Sequence, residues 1–246
     1  MPRAERASRL GHRVTPDALL TEGRIEVLGL LPRASNFTFL AEVSNGRGTV
    51  RAVYKPQQGE TPLWDFPDGT LYRREVAAYR LARTLGWPNV PPTVVRDGPM
   101  GVGSVQLFVD ADPREHYFTL VDRYADEFRA VAAYDVVAGN GDRKGGHCLL
   151  SPDGTVWVVD HGLCFSTRPY LRTVIWEFAG EPVPSHLAED LHRVAGELRS
   201  GPLREDFRVL LEDEEVDAAA GRAEELARRG VYPEPGPGRS HPWPAV

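Results

Sequence analysis

Branched apolar residues alternate with other positions over GRIEVLGLL (23–31), which predicts a strand. PRASN (32–36) interrupts it, and FTFLAEVS (37–44) predicts a second strand. Asn45-Gly46 is a strong hairpin signal, and TVRAVYKP (49–56) completes a three-strand meander. The stretch 56–70 reads as a loop because Gly or Pro recurs through it. From Thr70 to Leu85 the spacing turns helical, with Leu71, Val76, Tyr79 and Leu85 expected inward and Gly86 as the stop. PNVPPTVV and VGSVQLFV supply two more strands, and residues 118–139 suit one or two helices. HCLLS and TVWVVD, joined by Pro-Asp-Gly, form a second hairpin. Helical patterns return near 185–199 and 213–229, with the acidic run EDEE (212–215) expected as a solvated helix start. VYPEPGPGRSHPWPAV has five prolines and is expected to be disordered or draped over a lobe.

This order predicts an α+β fold with two lobes. The expected divisions are an arm over 1–20, frayed or a short helix, an N-terminal lobe over 21–108, a C-terminal lobe over 109–230 and a Pro-rich tail over 231–246. A length of 246 residues suits that plan. The net charge of -6 argues against a general nucleic-acid binder, because phosphate contacts need a basic face. No apolar run approaches the roughly 20 residues that span a bilayer, and no apolar stretch follows the charged N-terminus, so a cytoplasmic protein is expected. Cys148 and Cys164 cannot build a disulfide framework and are expected as small buried residues.

Of the 29 cationic Lys and Arg residues only Lys55 and Lys144 are lysines, so both stand out as compact ammonium groups in an arginine-rich chain. Lys144 lies in Asn140-Gly141-Asp142-Arg143-Lys144-Gly145-Gly146-His147, where three glycines imply a tight, backbone-exposing loop. Asp160 follows the apolar run VWVV. The hairpin between the two segments brings its ends together, because paired strands lie about 5 Å apart. Asp142 and Asp160 are therefore expected to approach each other, as a general base and a divalent-metal ligand would. Upstream, Lys55 ends the third strand and Glu75 lies in the following helix, an arrangement suited to holding an ammonium against phosphate.

These residues resemble the protein kinase-like superfamily, in its phosphatidylinositol 3/4-kinase and HipA-type branch, over roughly 24–180. Asn140-Gly141-Asp142-Arg143 matches the N-x-D-R catalytic loop of that branch, and Lys55-Pro56 matches the K-P after its ATP-binding lysine. The resemblance implies ATP with Mg²⁺ or Mn²⁺ as cofactors. It implies that Lys55 contacts the phosphates, Glu75 orients it, Asp142 aligns or deprotonates the acceptor hydroxyl, and Asp160 binds the metal. Arg143 would anchor the loop, and Lys144 would neutralise the transferred phosphoryl group. Backbone groups from Gln106 through Phe108 to Val109 would read adenine. His147 stands where the family's second metal-binding residue is usually Asn, which shifts preference toward Mn²⁺. PRASN replaces a Gly-rich loop, with Ser35 and Asn36 offering donors to phosphate.

The segment after Asp160 carries only Arg168 and Arg172 as cations, partly balanced by Glu177, and no polybasic helix follows. A protein or small soluble hydroxyl acceptor is therefore expected ahead of a lipid. Trp176 is a candidate for lining the acceptor groove. The competing functions are a nucleotide-binding pseudokinase acting through partners and a phosphatidylinositol kinase-like or nucleotidyl-transferring enzyme.

Overall fold

The computed structural model describes residues 16–32, 36–168 and 171–246. Five antiparallel strands form the N-terminal sheet: β1 (Arg24–Leu30), β2 (Phe39–Asn45), β3 (Gly48–Pro56), β4 (Thr93–Gly98) and β5 (Gly101–Leu107), in the order β1-β2-β3-β5-β4. The β2–β3 hairpin turns at Gly46-Arg47, where the Asn45 side-chain carbonyl accepts the Arg47 N–H at 2.8 Å. Alternation along the strands buries Ala41, Val43, Ala52, Tyr54 and Val105 on one face. The segment expected as a frayed arm or a short helix holds a short helix, α1 (Pro16–Glu22), which adds Leu20 to that core; the Leu20 carbonyl and the Gly23 carbonyl just past the helix accept from Arg96.

Helix α2 (Leu71–Leu85) joins the two parts. Its N-terminal amides at Leu71 and Tyr72 are capped by the Glu60 carboxylate, and Gly86 ends it in the left-handed region (φ 88°). Leu71, Val76 and Leu85 face inward as expected. Tyr79 is half-buried instead, because its hydroxyl reaches out to Asp17 of α1. The C-terminal part is mainly helical: α3 (Tyr117–Leu120), α4 (Ala125–Ala138), α5 (Ser185–Ser200), α6 (Pro202–Arg208) and α7 (Asp213–Arg229), with a small hairpin of β6 (Cys148–Leu150) and β7 (Val156–Val158). Helix α6 escapes the periodicity because it is two turns long. Gly201 breaks α5 and Pro202 starts the new helix at its first position.

One expectation is corrected here, and one open alternative is decided. The acidic run is not wholly solvated, since Glu215 is buried and pairs with the fully buried Arg74 of α2 at 2.5 Å. Arg74 also donates to the Cys164 carbonyl at 2.8 Å and lies over the Phe66 ring, so one guanidinium ties α2 to the C-terminal helices. The Pro-rich tail is draped: Tyr232 is buried, and the chain returns at residues 240–245 to the surface near Gly145 and Thr173. Both cysteines are buried and free, as expected.

Removing one member of a buried ion pair leaves the other charge uncompensated, which costs about 3–5 kcal/mol. Glu215→Ala is expected to lower stability by about that amount in urea unfolding, while Arg74→Leu combined with Glu215→Leu recovers most of the loss.

Candidate active site

Lys55 leaves the end of β3 and meets two carboxylates. Its Nζ donates to Glu75 Oε1 and, at 3.0 Å, to Asp160 Oδ1. Glu75 is almost wholly buried, and its second oxygen accepts the backbone N–H of His161 at 3.0 Å. One glutamate thus locks the ammonium to the residue after Asp160. Burial alone would lower the Lys55 pKa, but the Asp160 and Glu75 charges outweigh it and raise the value, so the group stays cationic. The Lys55 ammonium in turn holds the Asp160 carboxyl well below the usual carboxylate range, against the opposing effect of burial. Asp160 adopts a left-handed backbone (φ 61°), uncommon for a residue other than glycine, and its side chain is 51% exposed. The carboxylate is therefore both anionic and open to a ligand.

The catalytic-loop candidate lies alongside. Asp142 Oδ2 pairs with Lys144 Nζ at 2.8 Å, and the Asp142 N–H donates to the Asn140 side-chain carbonyl at 3.0 Å. Burial, more than the adjacent Asp160 charge, raises the Asp142 pKa, and Lys144 offsets part of that rise. A carboxylate with a raised pKa in a partly open site suits proton acceptance from a hydroxyl.

Arg143 points the other way and is fully buried. Its guanidinium forms a two-bond fork with Asp135 (2.8 and 2.9 Å), donates to the Val159 carbonyl at 2.9 Å and lies 2.8 Å from His161 Nε2. Arg143 is thus a positioning residue that cannot touch substrate, which corrects its place among the catalytic candidates. Asp135 also accepts from the Asn140 amide at 2.9 Å. Asp135, Asn140 and His161 therefore hold the loop, although none stands among the predicted site residues. A lone carboxylate in the apolar run AVAAYDVVAG is the signal for Asp135, since a buried acid requires a partner.

His147 Nε2 lies 3.3 Å from Asp160 Oδ2, while its Nδ1 accepts the Lys144 N–H at 3.3 Å. Burial pulls the imidazole down to about 4, against the pull of Asp160, so the ring is neutral at pH 7. With Nδ1 accepting, the proton sits on Nε2 and is donated to Asp160. His147 so placed is a donor to the metal-ligand candidate, and it offers a metal no lone pair in this tautomer.

A divalent cation fits this donor set through Asp160. No group of three or more His, Cys, Asp or Glu side chains forms a closed cage among the described residues. That matches Mg²⁺ chemistry, in which one or two carboxylates share the ion with substrate phosphates.

The remaining predicted contacts divide. The Gln106 side chain is buried and donates to Thr93 Oγ1 at 2.8 Å, and its backbone pairs with β3 and β4. The Phe108 N–H is taken by the Arg51 carbonyl at 3.0 Å, with Arg51 over the ring. Neither donor is thus free for adenine, which leaves half-buried Val109 as the hinge position open to a base. Asn36 accepts the Thr61 N–H on its side-chain carbonyl at 2.8 Å, which pins the turn and leaves its amide donors out of that bond. Ser35 lies outside the described residues. Trp176 donates to the Ser240 carbonyl at 3.2 Å, so the tail covers the groove position expected of it.

A family model described as phosphatidylinositol 3- and 4-kinase matches residues 74–213, a span that holds Glu75, the catalytic-loop candidates and Asp160. Protein Rv2133c of Mycobacterium tuberculosis is 40% identical, over 93% of this chain and 94% of its own length. Phosphatidylinositol 4-kinase gamma 4 of Oryza sativa subsp. japonica is 32% identical over 44% of this chain and 23% of its own. Among solved structures, the Golgi casein kinase superposes with a TM-score of 0.49 at 14% identity, covering 85% of this chain and 73% of that one. The Helicobacter pylori proinflammatory kinase CtkA gives 0.46 at 13% identity, covering 84% and 98%. The family match bears on the phosphatidylinositol kinase side of the resemblance, not on its HipA-type side. With more than half of its length matched, the chain belongs to the phosphatidylinositol 3- and 4-kinase family.

Proposed function

We propose that this protein is an ATP- and divalent-metal-dependent phosphotransferase whose acceptor is a hydroxyl of a protein or a small soluble molecule. The convergence of Lys55, Glu75 and Asp160, from a strand, a helix and the end of a hairpin, carries this reading. In it, Lys55 holds the phosphates and Glu75 keeps the ammonium aimed. Asp160 holds the metal, which, when bound, neutralises charge on the transferring phosphate. His147 orients Asp160 through its Nε2–H. Asp142 takes the acceptor proton. Lys144, paired with Asp142 at 2.8 Å, releases it and turns its flexible stem to the phosphoryl group. Val109 offers backbone groups to adenine. Catalysis is then mostly positioning and fixed electrostatics.

A soluble acceptor is favoured over a lipid by the segment after Asp160. Among the described residues of this segment the Lys or Arg cations are two, Arg168, which lies over the Trp64 ring, and Arg172, whose charge bears on Asp142, too few for the basic cluster that grips a lipid headgroup. No described helix is long and apolar enough to cross a membrane. The intact set of Lys55, Glu75, Asp142 and Asp160 favours an enzyme over a pseudokinase.

Mg²⁺-ATP or Mn²⁺-ATP at 100 times its Kd is expected to stabilise the protein by about 2.7 kcal/mol, read as a rise in Tm. Asp160→Ala is expected to abolish the metal-dependent part of that rise; an unchanged rise contradicts the metal role. Asp142→Ala is expected to keep the rise and lose about 10²–10⁴-fold in kcat, the usual worth of a positioned base. Asp142 acts as the carboxylate, so the rate falls as pH drops through its raised pKa. Removing a cation that lowers this pKa moves the acid limb up. Lys144→Ala is therefore expected to shift the acid limb of kcat/KM to higher pH, and a shift downward contradicts the assignment.

A further inference from the structure

The tail beyond Tyr232 has two parts of different character. Residues 234–239, EPGPGR, are exposed throughout and contain two glycines and two prolines, the composition of a linker. Residues 240–245 then return to the protein and bond to it through their main chain. The Ser240 carbonyl accepts the Thr173 N–H at 3.1 Å and the Trp176 indole N–H at 3.2 Å. The Ala245 carbonyl accepts the Gly145 N–H at 2.7 Å. Pro242 is buried between these anchors, while Trp243 points outward and is 79% exposed.

The receiving surface is the catalytic loop and the segment that runs beside it. Gly145 lies three residues after Asp142, and Arg143 pairs with Thr173 as an isolated parallel bridge. The glycines are what admit the tail. A side chain at Gly145 would meet the Phe118 ring at 3.1 Å and the Ala245 carbonyl at 3.3 Å, and one at Gly146 would reach Val246 at 3.8 Å. Two bare glycines next to a catalytic aspartate leave amide donors open to an extended chain. Asp142 itself pairs with Lys144 at 2.8 Å.

Resting on the phosphotransferase reading, we infer that this groove is the acceptor site, that it reads an extended polypeptide through the Gly145 and Thr173 amides, and that residues 240–245 occupy it in cis. The acceptor class is therefore a protein segment with a buried proline-like anchor, and the tail is a detachable competitor for it. The exposed linker permits release without disturbing Tyr232, which bonds to Arg129 and Glu181 and ends the folded core.

The test uses the full-length chain, its Pro242→Asp variant and a synthetic peptide of residues 236–246. Trp176→Phe serves as a milder second variant that removes one donor to Ser240. In the variants, hydrogen exchange at the Gly145 amide is expected to accelerate. A strap seated about nine-tenths of the time lowers the rate about tenfold, so slow ATP hydrolysis with Mn²⁺ is expected to rise by about that factor in Pro242→Asp. The peptide is expected to restore Gly145 protection and suppress hydrolysis in the variant without changing the KM for ATP. If Gly145 opens yet the peptide neither rebinds nor inhibits, the tail is structural packing and the inference fails. If phosphatidylinositol vesicles, and not the peptide, protect Gly145 and consume ATP, the groove reads a lipid headgroup and the polypeptide assignment is overturned. If no form turns over ATP while the peptide still rebinds, the phosphotransferase reading fails and the groove loses its acceptor role. If turnover persists and only peptide binding fails, the phosphotransferase reading stands alone.

Discussion

A single buried carboxylate organises the site. Glu75 accepts the Lys55 ammonium with one oxygen and the His161 amide with the other, so strand β3, helix α2 and the segment after the β6–β7 hairpin meet at one side chain. Burying an anion is costly unless it is paired and hydrogen-bonded, and here both oxygens are used. The partner gains as much as Glu75 does. Lys55 stays charged in a partly buried place and reaches Asp160, whose carboxylate remains open. The other pillar is the Asp135–Arg143 fork, which sits beneath the catalytic loop and reaches the Val159 carbonyl just before Asp160. Together the two clusters fix Asp142 and Asp160 on one side of the chain while their own charges are spent inward.

Much of this was legible in the residues, and the reason is local chemistry. Strand alternation, Asn45-Gly46, the Gly86 stop and the Pro-Asp-Gly turn are short-range signals, and each lies where its element begins or ends. The approach of Lys55, Glu75 and Asp160 was legible because two hairpins and one helix leave few ways to arrange their ends. What escaped depends on distant partners. Arg74 and Glu215 are 141 positions apart, so nothing in EDEE reveals that its last residue is buried. The short α6 carries too few turns for periodicity to register. Arg143 was expected to anchor the loop, but its pairing with Asp135 in α4 was not legible. Gln106 and Phe108 were placed in the right neighbourhood, but their donors are spent on Thr93 and Arg51.

The tail joins the fold to the function. Its composition excludes regular structure, and its carbonyls still find amide donors on the catalytic loop. The tail lies outside Arg74–Asp213, the span that the family model matches, and meets the Asp142–His147 loop through the Gly145 amide.

The most direct measurement is a crystal structure with a non-hydrolysable ATP analogue and Mn²⁺. The account predicts the ion on an Asp160 oxygen and shared with phosphate, the Lys55 ammonium on the phosphates with Glu75 still beside it, and the base near Val109. Nucleotide bound elsewhere, or a metal held without Asp160, would contradict it.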